Sequence, residues 1–267
     1  MIKRIIKKSV DNKKRLFAVL VAVSIVSAAA AVLTRNAFGG SSVYRAELFC
    51  AAPPRVNVNT AGIPVEILPW DGGFIKINCS AELPLIIKED ENELTVSQDD
   101  GFAVSVFTPE VLGYHIKVWL PSERDYTEIN IVSAGGDVAF DARGLSVRRV
   151  YVVSKNGGIK ISSADSILLL STKSGNIDVD YAYFLLPSLI ETASGGVNLA
   201  IPDFSSVRLD YVTETGRFES SFFPDEFDGA GTGAVRAVKG NRPCVLSVYT
   251  KSGGLVVSKK ETDAHEF

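Results

Sequence analysis

A short phrase returns along the second half of this chain and constrains its fold more than any other feature: a Ser/Thr-containing turn, a glycine, then two apolar residues alternating with polar ones. It reads Gly136-Asp-Val-Ala-Phe140, Gly157-Gly-Ile-Lys-Ile161, Gly175-Asn-Ile-Asp-Val179 and Gly195-Gly-Val-Asn-Leu199. It returns as Gly216-Arg-Phe-Glu-Ser220, in a degraded copy at Gly233-Ala-Val-Arg-Ala237, and as Gly253-Gly-Leu-Val-Val257. A second apolar run precedes most of these turns, as at Val150 to Val153, Ile167 to Leu170 and Val245 to Tyr249. Each repeat of roughly 20 residues therefore holds two short strands and two bends.

Alternation with a period of two puts Ile159 with Ile161, Ile177 with Val179 and Val197 with Leu199 on one face, and Lys160, Asp178 and Asn198 on the other. One face of each coil is expected to be core and the other wet. A coil this small cannot bury an apolar face alone, so the coils must stack. The expectation is an all-β fold, a parallel β-solenoid of about seven coils over residues 129–258. Gly136, Gly157, Gly175, Gly195, Gly216, Gly233 and Gly253 are the expected turn glycines, chosen because glycine tolerates positive φ at a sharp bend. A phosphate-cradling role for them would need a following helix, and no helical period follows.

Residues 44–128 show the same β character without the phrase, with turn signals such as Trp70-Asp71-Gly72-Gly73 between apolar runs. They are expected to form an N-terminal β region capping the solenoid, and residues 259–267 a frayed tail. The 46% hydrophobic content is enough for a sizeable core.

Upstream of this body the chain changes character. Residues 1–15 carry seven Lys/Arg against Asp11 alone, a local charge of +6 that leaves −9 for the remainder. Leu16 to Leu33 is apolar apart from Ser24 and Ser27, and eighteen helical residues reach about 27 Å, close to the roughly 30 Å of a hydrocarbon core. The expectation is a transmembrane anchor over residues 16–33, with the basic segment 1–15 cytoplasmic and the rest exported through a linker at 34–43. Cleavage of the same stretch as a signal peptide, near Ala28 to Ala31, is the alternative. The acidic body has no stripe of basic and aromatic residues to follow phosphates, so nucleic acid is not expected as a partner.

Residues able to do chemistry are sparse. The two histidines are His115, within a strand-like run, and His265, in the tail, so a Ser-His-Asp triad has one candidate base. The pairs Asp178/Asp180 and Asp137/Asp141 could supply two carboxylates for a glycosidase, but alternating acids are what a solvated strand carries. Cys50, Cys79 and Cys244 lack the paired spacing of a zinc site or a disulfide framework. No catalytic residue, cofactor or metal is expected. The aromatic residues Trp70, Phe222 and Phe223 are the tentative partner contacts; Trp70 could equally cap the core.

The stretch Ile116-Lys-Val-Trp-Leu-Pro121, the run Ile129-Asn-Ile-Val-Ser-Ala-Gly-Gly-Asp-Val138, and the phrases at 174–179 and 194–199 resemble the bacterial putative-adhesin domain of unknown function found in membrane-anchored envelope proteins. The resemblance covers about residues 56–258. It implies a β-solenoid at the cell surface, with a link in some members to envelope-stress signalling. Function is accordingly expected to be that of a tethered binding or scaffold module for an unknown envelope protein or polymer. The competing expectations are a carbohydrate-active enzyme built on a β-helix and a self-assembling structural surface protein.

Overall fold

The computed structural model describes residues 44–81, 85–98, 113–223 and 233–260. The expected basic segment, membrane span and linker, and the tail beyond Lys260, lie outside the described residues. Within them every regular element is a strand, and no helix occurs.

In chain order the first strands are β1 (Tyr44–Cys50), β2 (Arg55–Thr60), β3 (Val65–Trp70), β4 (Ile75–Ala81), β5 (Leu85–Glu89), β6 (Glu93–Gln98) and β7 (His115–Pro121). The middle of the chain forms β8 (Asp125–Tyr126), β9 (Glu128–Ser133), β10 (Val138–Asp141), β11 (Ser146–Val147), β12 (Arg149–Ser154), β13 (Ile159–Ala164), β14 (Ile167–Thr172) and β15 (Ile177–Tyr181). The last strands are β16 (Ser188–Thr192), β17 (Val197–Pro202), β18 (Val207–Thr213), β19 (Phe218–Ser220), β20 (Gly233–Lys239), β21 (Cys244–Thr250) and β22 (Leu255–Lys260).

These strands build two facing ten-stranded sheets, with β8 and β11 as a small parallel pair between them. Sheet A runs β1-β4-β7-β3-β10-β13-β15-β17-β22-β19, and sheet B runs β20-β18-β21-β16-β14-β12-β9-β2-β6-β5. One strand of sheet B, a tight turn and one strand of sheet A make a coil, and neighbouring coils pair parallel and in register, as Ile159 with Ile177 with Val197. Alternation fills the space between the sheets with Val58, Ile131, Val152, Leu170 and Ile190 from one side and Ile67, Phe140, Ile161, Val179 and Leu199 from the other, all buried. Each such side chain contributes about 1.5–3 kcal/mol of hydrophobic stabilisation.

The coils do not stack in the order in which the chain makes them. The β2/β3 coil is first in sequence but lies between β6/β7 and β9/β10, and the β21/β22 coil is last in sequence but lies between β16/β17 and β18/β19. Antiparallel strands close both ends: β1 and β4 extend sheet A beyond β7, β5 extends sheet B beyond β6, and β20 covers the outer edge of β18.

This arrangement corrects the expected coil at Gly233. That residue has φ of 141° and opens β20, which turns back antiparallel to β18, so no parallel coil forms there. Its alternation survives, with Ala237 buried and Val235 half-buried against the core while Ala234, Arg236 and Val238 face solvent, but the strand runs antiparallel along the edge of the sheet. In exchange, β2/β3 and β6/β7 supply two strand pairs at the N-terminal end that lack the glycine phrase in full.

Candidate functional site: the outer face of sheet B

The turn leaving sheet B is made the same way in coil after coil. A Ser or Thr ends the strand, two exposed or half-buried residues follow, and the fourth position begins the run into sheet A. Thr60, Ser133, Ser154, Thr172, Thr192, Thr250 and Thr213 stand side by side in register, all buried. Apart from that of Ser154, which has no hydrogen-bond partner among the described residues, their hydroxyls serve the turn: the amides of Gly175, Gly195 and Gly216 donate to Thr172, Thr192 and Thr213 at 3.1, 3.0 and 2.8 Å. The hydroxyls of Ser133 and Thr250 donate instead to the carbonyls of Gly136 and Gly253 at 2.8 and 2.6 Å. Backbone groups that a bend would otherwise orphan are satisfied locally.

The glycines meet a different requirement from the one expected. None of Gly136, Gly157, Gly175, Gly195, Gly216 or Gly253 has positive φ. A Cβ on Gly157 would fall on the carbonyl oxygen of Gly136, one on Gly175 on that of Gly157, one on Gly195 on that of Gly175, and one on Gly253 on that of Gly195. Close approach of one coil to the next, not the bend itself, excludes a side chain there.

This uniform turn holds the sheet B strands level, and their outward side chains form one broad face. Expected to be wet, it carries an apolar row across its middle. Tyr151, Leu169 and Leu189 lie in one register row, and Val132, Val153, Ser171, Glu191, Tyr249 and Val212 in the next. Tyr151, Val132, Tyr249 and Val212 are exposed. The corresponding outward positions of sheet A are Ala139, Lys160, Asp178, Asn198 and Val256, mostly polar. The sequence carried a signal for this asymmetry. The strands leading into the turns are continuous apolar runs, Val150 to Val153 and Ile167 to Leu170, whereas those after the glycine alternate, and an unbroken apolar run has apolar residues on both faces.

Along the turn edge of this face runs a shallow trough of about 880 Å³, floored by Val132, Val153 and Tyr249 and bordered by Lys155, Lys173 and Lys251. Elsewhere on the face Arg149 donates to Glu128 at 3.0 Å, and Asp210 is shared by Arg236 at 2.7 Å and Arg208 at 3.4 Å.

The aromatic residues singled out as partner contacts sit elsewhere. Phe222 and Phe223 are buried, packed edge to face with centroids 5.0 Å apart, and Lys239 Nζ lies 4.0 Å from the Phe222 ring centre. They close the C-terminal end of the core, so the expected contact surface there is not formed; two consecutive phenylalanines are too apolar to leave in water when a core end is open beside them. Trp70 lies over Gly72 of its own turn, with its indole N–H donating to the carbonyl of Phe74 at 3.0 Å.

The polar residues considered for chemistry are engaged in hydrogen bonds and ion pairs within the fold. His115 places Nδ1 3.0 Å from the Gly113 carbonyl and Nε2 3.1 Å from Asn78 Oδ1. Asp137 accepts from the Gly158 amide at 2.6 Å, Asp178 from Asn198 at 2.7 Å, and Asp180 from Lys260 at 2.7 Å. Asp141 is paired with Arg143 at 2.6 Å, whose hydrogen bond holds its carboxyl below the usual range. The three thiols are free. Cys50 stands opposite Ile75 and Cys79 opposite Ala46, so four residues of β1, about 13 Å of strand, separate the two levels.

Two mainly parallel sheets wound as a solenoid and joined by Ser/Thr-glycine turns define the class of protein. Residues 127–258 match the model of the Toastrack DUF4097 family. Among solved structures it is similar to a putative cell adhesion protein from Clostridium sporogenes, with a TM-score of 0.52 and 15% identity over 81% of this chain and 100% of that one; the two share a fold. A putative adhesin from Bacteroides fragilis aligns with a TM-score of 0.43 and 14% identity over 82% of this chain and 98% of the other. No curated protein matches the chain in sequence.

Proposed function

We propose that this protein is an adhesin-like module of the bacterial cell envelope, tethered by residues 16–33 with its N-terminus in the cytoplasm and its solenoid outside, and that it acts by docking rather than catalysis. The observation that carries the reading is the outer face of sheet B. Its exposed apolar side chains, Tyr151, Tyr249, Val132 and Val212, share one face of the sheet and are linked through the half-buried Leu169 and Leu189. Contiguous apolar surface of this kind marks interaction sites in soluble domains. The basic segment before an eighteen-residue apolar run supports the tether and its orientation. The adhesion-related name of the Clostridium sporogenes structure agrees in kind. The partner is an envelope protein or polymer, neither nucleic acid nor a cofactor, and a role in sensing envelope stress is compatible with such a tether.

Crosslinking on intact cells tests this reading, with mass spectrometry of the captured partners and of the protein's own N-terminus. Reproducible capture that is lost in Leu169→Glu, with residues 1–35 still attached, is the expected result. No capture together with an N-terminus near Ala31 would replace the tethered module with a released protein.

A further inference from the structure

We propose that the outer face of sheet B is the interface of a homodimer, in which two copies of this chain pack these faces together. The proposal rests on reading this face as a docking surface and names its occupant. In-register parallel strands of similar length leave a level surface, and the surface that best matches a level apolar sheet is another one. Facing sheets pack about 10 Å apart with aligned strands, as in any two-sheet sandwich.

The size of the face fits. Ten strands spaced about 4.8 Å apart, each with about five residues rising roughly 3.3 Å, present about 800 Å². A standard stable interface takes about 800 Å² from each partner. Its anatomy fits as well. The apolar row Tyr151–Leu169–Leu189 occupies the middle, while Thr95, Asn57 and Asn130 continue the same register toward the N-terminal end as a polar border. A closed two-fold contact uses one patch twice, and such dimers are the commonest soluble oligomers.

Charge favours a second copy over a polyanion. Arg149 lies on Glu128, and Arg208 and Arg236 share Asp210, each with a carboxylate within 3.4 Å, and the exposed Glu191 in the Tyr249 row, with Glu214 at the turn edge, would repel a polyanion. Lys155, Lys173 and Lys251 stand at the turn edge, where the contact meets water. A linear anionic polymer held along those lysines would leave Leu169 and Leu189 uncovered.

The test uses the full-length chain in its own membrane, with Cys244→Ser as background and a short bismaleimide as crosslinker. Leu169→Cys, in the middle of the face, is expected to give a covalent dimer, and Lys160→Cys, on the outer face of sheet A, none. In detergent the intact protein is expected to have the mass of a dimer. Leu169→Glu should weaken self-association about tenfold or more, with its circular dichroism unchanged. A monomeric parent protein, or equal coupling from both faces, overturns the proposal. Coupling of Leu169→Cys to a different protein, without self-coupling, overturns the dimer and leaves the docking face standing. Absence of any coupling at this face overturns both.

Discussion

Gly216 packs against the carbonyl of Gly253, not against that of Gly195, the turn glycine that precedes it in the sequence. Gly253 takes the place on Gly195. The glycine column thus records the true order of the coils, with the last coil of the chain inserted before the penultimate one.

A methyl group in this column is therefore expected to be costly. Gly175→Ala would drive its Cβ onto the Gly157 carbonyl, and the backbone shift needed should destabilise the fold by about 1–3 kcal/mol. Gly62→Ala, with open space around it and no positive φ, should change stability by less than about 1 kcal/mol. Urea denaturation of the two variants side by side checks the contrast.

The hydroxyl column makes a separate demand. Thr192→Val keeps the shape of the side chain but leaves the Gly195 amide without its acceptor, a loss expected to cost about 1–3 kcal/mol. Thr192→Ser retains the oxygen and should recover most of it. Equal stability of the valine and serine variants would show that the bond contributes nothing.

Much of this architecture is legible in the sequence, and the illegible parts share one physical cause. The period-two alternation around Ile159, Ile177 and Val197 and the recurring glycine specify a stacked coil. They do not specify which coil stacks on which, because Thr213 to Gly216 and Thr250 to Gly253 present the same hydroxyl and the same bare glycine to Gly195. The reason for glycine was also hidden, since close approach between coils is a property of the stack and not of the turn. For the candidate site, the runs Val150 to Val153 and Ile167 to Leu170 carried the signal, while Phe222 and Phe223 misled, because an aromatic pair reads alike whether it closes a core or greets a partner.

The buried thiols are expected to be silent until the protein unfolds. Desolvation pushes Cys50 up to about 12 and Cys79 up to about 11, from an ordinary value of 9.0. At pH 8 both are neutral in the fold, and labelling by a thiol reagent should be limited by unfolding. Because the unfolded chain ionises first, their contribution to stability is intact below about pH 9 and is lost as pH rises through 11 to 12. Denaturation midpoints in Cys50→Ala/Cys79→Ala, compared with the parent between pH 8 and 10, should show the smaller fall in the variant.

Amide exchange should follow space rather than sequence. The amides of β21 and β22, paired on both edges, are expected to exchange more slowly than those of β19, which pairs on one. Protection falling steadily toward the C-terminus would contradict the inserted coil.

That insertion, repeated at both ends, bears on how the molecule answers a pull. In a solenoid wound in chain order, tension on a terminus peels the outermost coil, one ladder at a time. Here tension at the C-terminus reaches β22, gripped between β17 and β19, and tension at the N-terminus, once β1 is stripped, reaches β2, gripped between β6 and β9. Two ladders must shear together before either end yields. A domain hung from one terminus while its face holds something else would be strained along that line, and its first and last coils are knotted into the weave where a thread would otherwise begin to run.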